Sequence, residues 1–355
     1  MMQKIVEKQQ SQELLTPIKS VLIIGTGAIG SMFEAEFSQK NEQLDVAFLS
    51  HETIPAEVLA NAEVIILTTP NHSVKRMVVE LLNKIPDTAE LPMLVLIQNG
   101  VGVVEQAHLA LAESTNPDRR LSIVRASVFT QVTKKGDQLD YNAEKLRVAL
   151  SPIGCSPEDF RRAGQLFLFA NFQTRNYENY QSLEWTKLLF NTLGTTSMIT
   201  GLPPSITFAD KELYQLEMNA FAQRCNILRQ CGIPIAQIDW VKTQMLPALE
   251  IVRHISFFKP ARKALAGLIS NQRNDQPSAA WHKVEEGGDL AEAIHYHQAL
   301  IDLAEQNSME APTLDLAIVS LLREQAANKL DLQDLTPEER KQRLIAKTQE
   351  LKANN

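Results

Sequence analysis

Four consecutive apolar residues, Val21 to Ile24, run straight into Gly25-Thr26-Gly27-Ala28-Ile29-Gly30, and Ser31 to Phe37 follows. An unbroken apolar run of this kind predicts a strand buried on both faces, and the segment after the glycines predicts a helix. The alternation then repeats. Leu44–Leu49 and Ala62–Thr68 read as strands. Val74, Met77, Val78, Leu81, Leu82 and Ile85 recur at helical spacing, and Pro92–Ile97 is a further buried strand. Buried strands alternating with helices predict a parallel, doubly wound sheet. Strands near Leu121–Gln131 and Leu146–Leu150 complete it, with Asp137–Tyr141 a turn and short strand between them. Around Gln173–Tyr180 the pattern changes and no strand follows. Ser182 to Glu324 reads as helices broken at Gly201-Leu202-Pro203-Pro204, Gly232-Ile233-Pro234, the polar stretch Ser270–Ser278, and Glu310-Ala311-Pro312. The expected fold class is α/β, a doubly wound parallel sheet followed by an all-helical C-terminal domain. Its expected parts are a polar N-terminal extension (1–18), the sheet domain (19–176), the helical domain (177–329) and a charged C-terminal tail, a peripheral helix or a partly disordered segment (330–355).

The glycines fit G-x-G-x-x-G in the strand–turn–helix setting that makes the motif a Rossmann-type dinucleotide signature. Gly25 permits the tight turn, Gly27 lets backbone N–H groups approach a pyrophosphate, and Gly30 lets the helix pack closely. Thr26, Ala28 and Ile29 ride in the same turn, so all six residues form the expected cofactor-binding segment. The helix N-terminus adds unpaired donors and the favourable end of its dipole. The plainer alternative is a Gly-rich turn with no ligand. In such sheets ligands bind beyond the carboxyl ends of the strands, so the loops at Gly25, Ser50, Thr69 and Gln98 are expected on one rim. Ser50 and His51 end the second strand, with Glu52 one step later. The absence of a carboxylate directly at the strand end tilts the reading towards NADP, although Ser50 and His51 simply beginning a loop is an open alternative.

Composition narrows the classes. A chain of 355 residues is long for one core, so two domains are expected. A formal charge of −7 argues against non-specific nucleic-acid binding and gives no attraction to anionic membranes. Cys155, Cys225 and Cys231 are too few and scattered for a disulfide framework or a zinc cluster, and His254, His282, His295 and His297 lack zinc-ligand spacing. No metal is therefore expected. No apolar run approaches a membrane span, and the polar start lacks a signal-peptide segment, which points to a cytoplasmic protein. A homodimer is carried only as the commonest arrangement among enzymes.

In Glu184-Trp185-Thr186-Lys187-Leu188-Leu189-Phe190-Asn191, Lys187 and Asn191 share one helical face among apolar neighbours. An ammonium there can hydrogen-bond a carbonyl oxygen and hand over a proton as hydride arrives; a lysine snorkelling at a seam is the simpler reading. With these residues in view, the chain from about Lys19 to Leu322 resembles the ketopantoate reductase family (2-dehydropantoate 2-reductases), which reduce a branched 2-oxo acid with NADPH in pantothenate biosynthesis. The resemblance rests on Gly25–Gly30, Gln98-Asn99-Gly100-Val101-Gly102, Lys187 with Asn191, and the segment from Ala291-Glu292 to Ala311-Pro312-Thr313. It implies an NADP(H) cofactor, Lys187 as general acid, and Glu292 holding the substrate hydroxyl and orienting that lysine. It implies Asn99 near the nicotinamide and the substrate, and a serine on the substrate carboxylate; Asn191, with donors and an acceptor but no charge, can orient the lysine or the substrate. Ser278 is the candidate serine, with Asn274 as an alternative.

The chain departs from the family pattern at several places. Ser50 stands where a basic residue is common, Pro70 where a Lys is frequent, and Thr195 where a second Asn is expected at the substrate. Ser278-Ala279-Ala280-Trp281-His282 replaces Ser-Met-x-x-Asp. Each lost cation removes a charge-assisted bond on the order of 1.5–3 kcal/mol. Two other functions remain in view. One is a β-hydroxy acid dehydrogenase, which shares the glycine turn and the Lys-x-x-x-Asn pair. The other is a dinucleotide-binding sensor without turnover.

Overall fold

The computed structural model describes residues 15–40, 43–51, 54–86, 90–238, 240, 259–272 and 275–354. The chain divides into two compact units, Met1–Tyr180 and Gln181–Asn355. Most of the expected N-terminal extension lies outside the described residues, as do Glu52 and Asn274. Ile18, at the extension's end, is buried in the first unit's core.

In the first unit, β1 (Ser20–Ile24), β2 (Asp45–Leu49), β3 (Val64–Leu67), β4 (Met93–Leu96), β5 (Ile123–Val128), β8 (Arg147–Ile153) and β9 (Gln173–Asn176) form one sheet in the order β2-β1-β3-β4-β5-β8-β9. The first five strands are parallel. Alternate residues bury opposite faces. Val21, Ile23, Val64, Ile66 and Val95 pack with Met32, Phe33 and Phe37 of α1 (Ala28–Ser38) and Phe167 of α5 (Pro157–Phe169). Leu22, Ile24, Ile65, Leu67 and Leu96 pack with α3 (Val74–Lys84) and α4 (Val103–Ala112); α2 (Ala56–Asn61) adds Leu59 to that side. This two-sided burial is why the strands read as unbroken apolar runs.

Two features differ from the expected sheet. β8 pairs antiparallel with β5, and β9 pairs parallel with β8, so the last two strands run against the rest. The stretch where the pattern changes contains β9, a polar, largely exposed edge strand with no hydrophobic pattern to announce it. Between β5 and β8, β6 (Val132–Lys135) and β7 (Gln138–Tyr141) form a separate antiparallel hairpin.

The second unit is helical among the described residues: α6 (Tyr180–Asn191), which begins at the boundary, α7 (Thr196–Thr200), α8 (Pro204–Thr207), α9 (Lys211–Gln230), α10 (Lys259–Gln272), α11 (Ala279–Glu285), α12 (Ala291–Gln306), α13 (Thr313–Ala326) and α14 (Pro337–Asn354). The expected charged tail is the packed helix α14. Leu344 is fully buried, and Arg340 and Lys341 are 7% and 9% exposed. Arg340 stacks on Trp281 at 4.1 Å, and Lys341 donates to Asp210 (2.8 Å), the residue that caps α9. Long basic side chains bury their stems while their heads find partners, so charge alone did not mark this helix as exposed. Among the described residues no helix is long and apolar enough to cross a membrane.

A fully buried ionic cluster joins α9, α12 and α13. Arg224 Nε donates to Asp315 Oδ2 at 3.0 Å, and Arg224 Nη1 donates to Thr192 O at 2.7 Å. His297 Nδ1 lies 2.6 Å from Asp315 Oδ1, and because an ionised carboxylate only accepts, that nitrogen carries the proton. Burial opposes the charge on Asp315, but Arg224 and His297 outweigh it and hold the carboxyl below its usual range. Asp315→Asn leaves the guanidinium buried without its counter-charge, so denaturant titration should show a loss of about 3–5 kcal/mol. With a depressed folded pKa, the carboxylate's contribution is complete above about pH 4 and is lost as pH falls through the folded value. The variant should therefore show a flatter acid limb, and an unchanged limb would remove Asp315 from acid unfolding.

Candidate functional site

The glycine turn is built by contacts within the first unit. Gly25 N–H donates to Leu49 O (2.9 Å), and Thr68 Oγ1 donates to Gly25 O (2.8 Å). Gly25 has φ +117°, and a Cβ there would lie 2.5 Å from Thr68 Oγ1. A Cβ on Gly30 would lie 1.9 Å from Gly25 O. Turn and helix packing therefore require both glycines. Gly27 is different. Its φ is −73°, and a Cβ there would meet nothing within 4 Å. Thr26 and Gly27 are exposed, and Ala28 and Ile29 are half-buried. Gly27 begins α1, which has no side-chain cap and no acidic residue in its first turn. Its first N–H groups are thus open to an outside acceptor.

The parallel register brings the other loops to the same edge, since Ile24 aligns with Leu49 and Leu67, and Leu67 with Leu96. Ser50 is half-buried in the turn after β2. Two residues that sequence reasoning did not assign tie the loops after β3 and β4 together. Asn71 Nδ2 donates to Asn99 O (3.4 Å) and Val101 O (3.3 Å), and Asn71 Oδ1 accepts from Gln106 Nε2 (2.7 Å). Arg125, buried in β5, donates to Leu96 O (2.8 Å), Gln98 O (2.6 Å) and Gly100 O (3.4 Å). The Gln98 amide turns inward to Leu67 O (2.9 Å), whereas Asn99 is exposed on a backbone held from below. A single arginine inside an apolar strand was the one signal in the sequence for this arrangement.

In the second unit, Lys187 and Asn191 lie one turn apart on α6, both half-buried. Buried Leu183, Leu188 and Leu189 anchor the helix, and Thr186 Oγ1 accepts from Ala236 N–H at 2.7 Å. Thr195, expected at the substrate, faces the interior. It is 2% exposed, and its hydroxyl donates to Oε1 of the buried Glu217 (3.3 Å). The same carboxylate accepts from the N–H groups of Gly194 and Thr196. The hydroxyl thus holds the turn after α6. Ser278 caps α11, its Oγ accepting from Trp281 N–H (3.3 Å). Glu292, in the first turn of α12, pairs with Lys283 Nζ (3.0 Å) and accepts from Tyr296 OH (2.6 Å).

A Rossmann-type sheet unit with a glycine turn after its first strand, followed by a second unit that is helical among the described residues, defines a dinucleotide-fold architecture. More particularly, it is the fold of the ketopantoate reductases. A ketopantoate reductase from Ralstonia eutropha JMP134 matches with a TM-score of 0.65 and 13% identity, over 87% of this chain and 99% of its own. The dimeric ketopantoate reductase from Staphylococcus aureus gives 0.60 and 19%, over 88% and 100%. D-Mandelate dehydrogenase, solved with NADH and anilino(oxo)acetate, gives 0.61 and 12%, over 94% and 99%. At these identities the likeness establishes the fold. No protein-family model matches the sequence, and no curated protein matches it.

Proposed function

We propose that the chain is an NADP(H)-dependent 2-oxo acid reductase that converts 2-dehydropantoate to pantoate. The observation that carries this reading is the glycine turn. Two of its glycines are required by contacts within the protein, and the third, Gly27, leaves open space over an uncapped helix N-terminus. A pyrophosphate matches that space and those donors. The resemblance in sequence and the likeness to reductases of 2-oxo acids support the same reading.

When bound, the nicotinamide supplies the hydride to the keto carbon. Gly25 to Gly30 hold the pyrophosphate, and Ser50 meets the adenosine ribose with its 2′-phosphate. Lys187 donates a proton to the carbonyl oxygen and stabilises the charge developing there. Asn191, one turn away, offers both donors and an acceptor and fixes the substrate without adding charge. Glu292 accepts from the substrate hydroxyl and orients Lys187. Ser278, whose oxygen already accepts from Trp281, retains its O–H for the substrate carboxylate. Asn99 meets the substrate beside the nicotinamide.

The test follows NADPH and NADH consumption separately, with 2-dehydropantoate and a panel of other 2-oxo acids. NADPH-selective consumption with 2-dehydropantoate is expected. Turnover with a different oxo acid alone would move the substrate. Cofactor binding without turnover would leave the sensor reading, and oxidation of a 3-hydroxy acid would leave the related dehydrogenase.

A further inference from the structure

We propose that Lys134 is a second phosphate-binding element of the dinucleotide site, a cation delivered to the pyrophosphate by the hairpin outside the main sheet. This rests on the dinucleotide reading above and adds a residue to it. The β6–β7 hairpin pairs Val132 with Tyr141 and Lys135 with Gln138. It is fastened to α1 by Tyr141 OH, which donates to Glu36 Oε1 at 2.7 Å. From β6, Lys134 Nζ donates to Thr26 O and to Ser31 Oγ, each at 2.9 Å. Thr26 lies inside the glycine motif, and Ser31 sits in the first turn of α1. An exposed ammonium is therefore held on the turn itself.

The electrostatics of that position make sense with an anion present. Both acceptors are neutral oxygens, and among the described residues Lys134 forms no ion pair. It lies at the positive end of the α1 dipole, where a cation is disfavoured and a carboxylate would be favoured. The first turn holds no carboxylate and no side-chain cap. An anion over Gly27 would meet backbone N–H groups and the ammonium together, the combination that binds phosphate strongly. The positions from which the resemblance leads one to expect cations hold Ser50 and Pro70 instead. Lys134 supplies a cation from another element. Its contacts are with the motif and not with Ser50, so it serves the pyrophosphate, which NAD and NADP share, and not the 2′-phosphate.

Fluorescence titrations with NADH and NADPH test this on Lys134→Met, which keeps the stem and removes the charge. Both affinities should weaken in parallel, on the order of tenfold or more, with thermal stability near wild type. Lys134→Arg should recover most of the affinity. Lys135→Met removes the neighbouring charge, which the strand pleat sends to the other face. Tyr141→Phe loosens the hairpin without changing charge. Both should stay within about twofold of wild type, well short of the loss expected for removing a charge-assisted bond. Wild-type affinity in Lys134→Met, a loss confined to NADPH, or an equal loss in Tyr141→Phe would each overturn the assignment. A wild-type protein that binds neither dinucleotide would overturn the dinucleotide reading itself, and that result is visible before any variant is made.

Discussion

Lys187→Ala should lower turnover by at least ~10²-fold while leaving dinucleotide affinity at the wild-type level. The expectation follows from where the residue sits. Lys187 is on the helical unit's first helix, away from the glycine turn in sequence, and it contributes no phosphate contact in the proposed mechanism. The buried leucines on either side anchor α6 without it. Alanine is the best helix former, so the helix should persist. What the variant lacks is the proton donor and the cation facing the developing oxyanion. Lys187→Arg sharpens the test. It keeps a positive charge but cannot release a proton at neutral pH, so it should restore part of the electrostatic effect and little of the turnover. Steady-state rates at saturating cofactor, with binding titrations beside them, separate these effects. Unchanged turnover in Lys187→Ala would remove the residue from the mechanism.

What the sequence makes legible here is what local physics encodes. β1, β3 and β4 read as strands because both sheet faces are covered there, and burial on both faces leaves apolar runs. The tight turn at Gly25 and the close helix packing at Gly30 are legible because both fall within one short strand–turn–helix stretch. Strand direction has no such signature. The hydrophobic pattern of Arg147–Ile153 is the same whether it pairs parallel or antiparallel, so the reversal at β8 was invisible. β9 was missed because an exposed polar edge strand carries no alternation. The packing of α14 is not legible in the sequence because its buried face is made partly of Arg340 and Lys341, whose partners Trp281 and Asp210 are distant in sequence.

The site divides in the same way. Asn71 and Arg125 act on loops roughly thirty residues away, and Lys134 reaches Thr26 across 108 positions. Such partners are set by topology and not by spacing. Thr195 shows the converse. Its position in the chain suggested a substrate contact, but the turn after α6 needs an acceptor for its N–H groups, and Glu217 recruits the threonine hydroxyl as well. A sequence can place a residue near a site, but only packing decides which way it faces.

Gly27→Val and Gly30→Val should fail in opposite ways, and the contrast tests the dinucleotide reading most directly. At Gly27 the backbone is extended, with φ −73° and ψ −177°, a conformation any residue adopts, and an added Cβ meets nothing within 4 Å. The protein should fold with a melting temperature close to wild type. Its side chain would nevertheless fill the approach to the uncapped N–H groups of α1, so affinity for NADH and NADPH should fall below detection in the same titration. At Gly30 the added Cβ would lie 1.9 Å from Gly25 O and 2.6 Å from Thr68 Oγ1. The backbone carbonyl cannot yield without parting β1 from α1, so this variant should lose several kcal/mol and fold poorly whatever it binds. A folded Gly27→Val that retains tight binding would place the dinucleotide elsewhere. A Gly27→Val as unstable as Gly30→Val would show that the fold, and not a ligand, requires the second glycine. Only a stable protein that no longer binds supports the reading that Gly27 is there for the pyrophosphate.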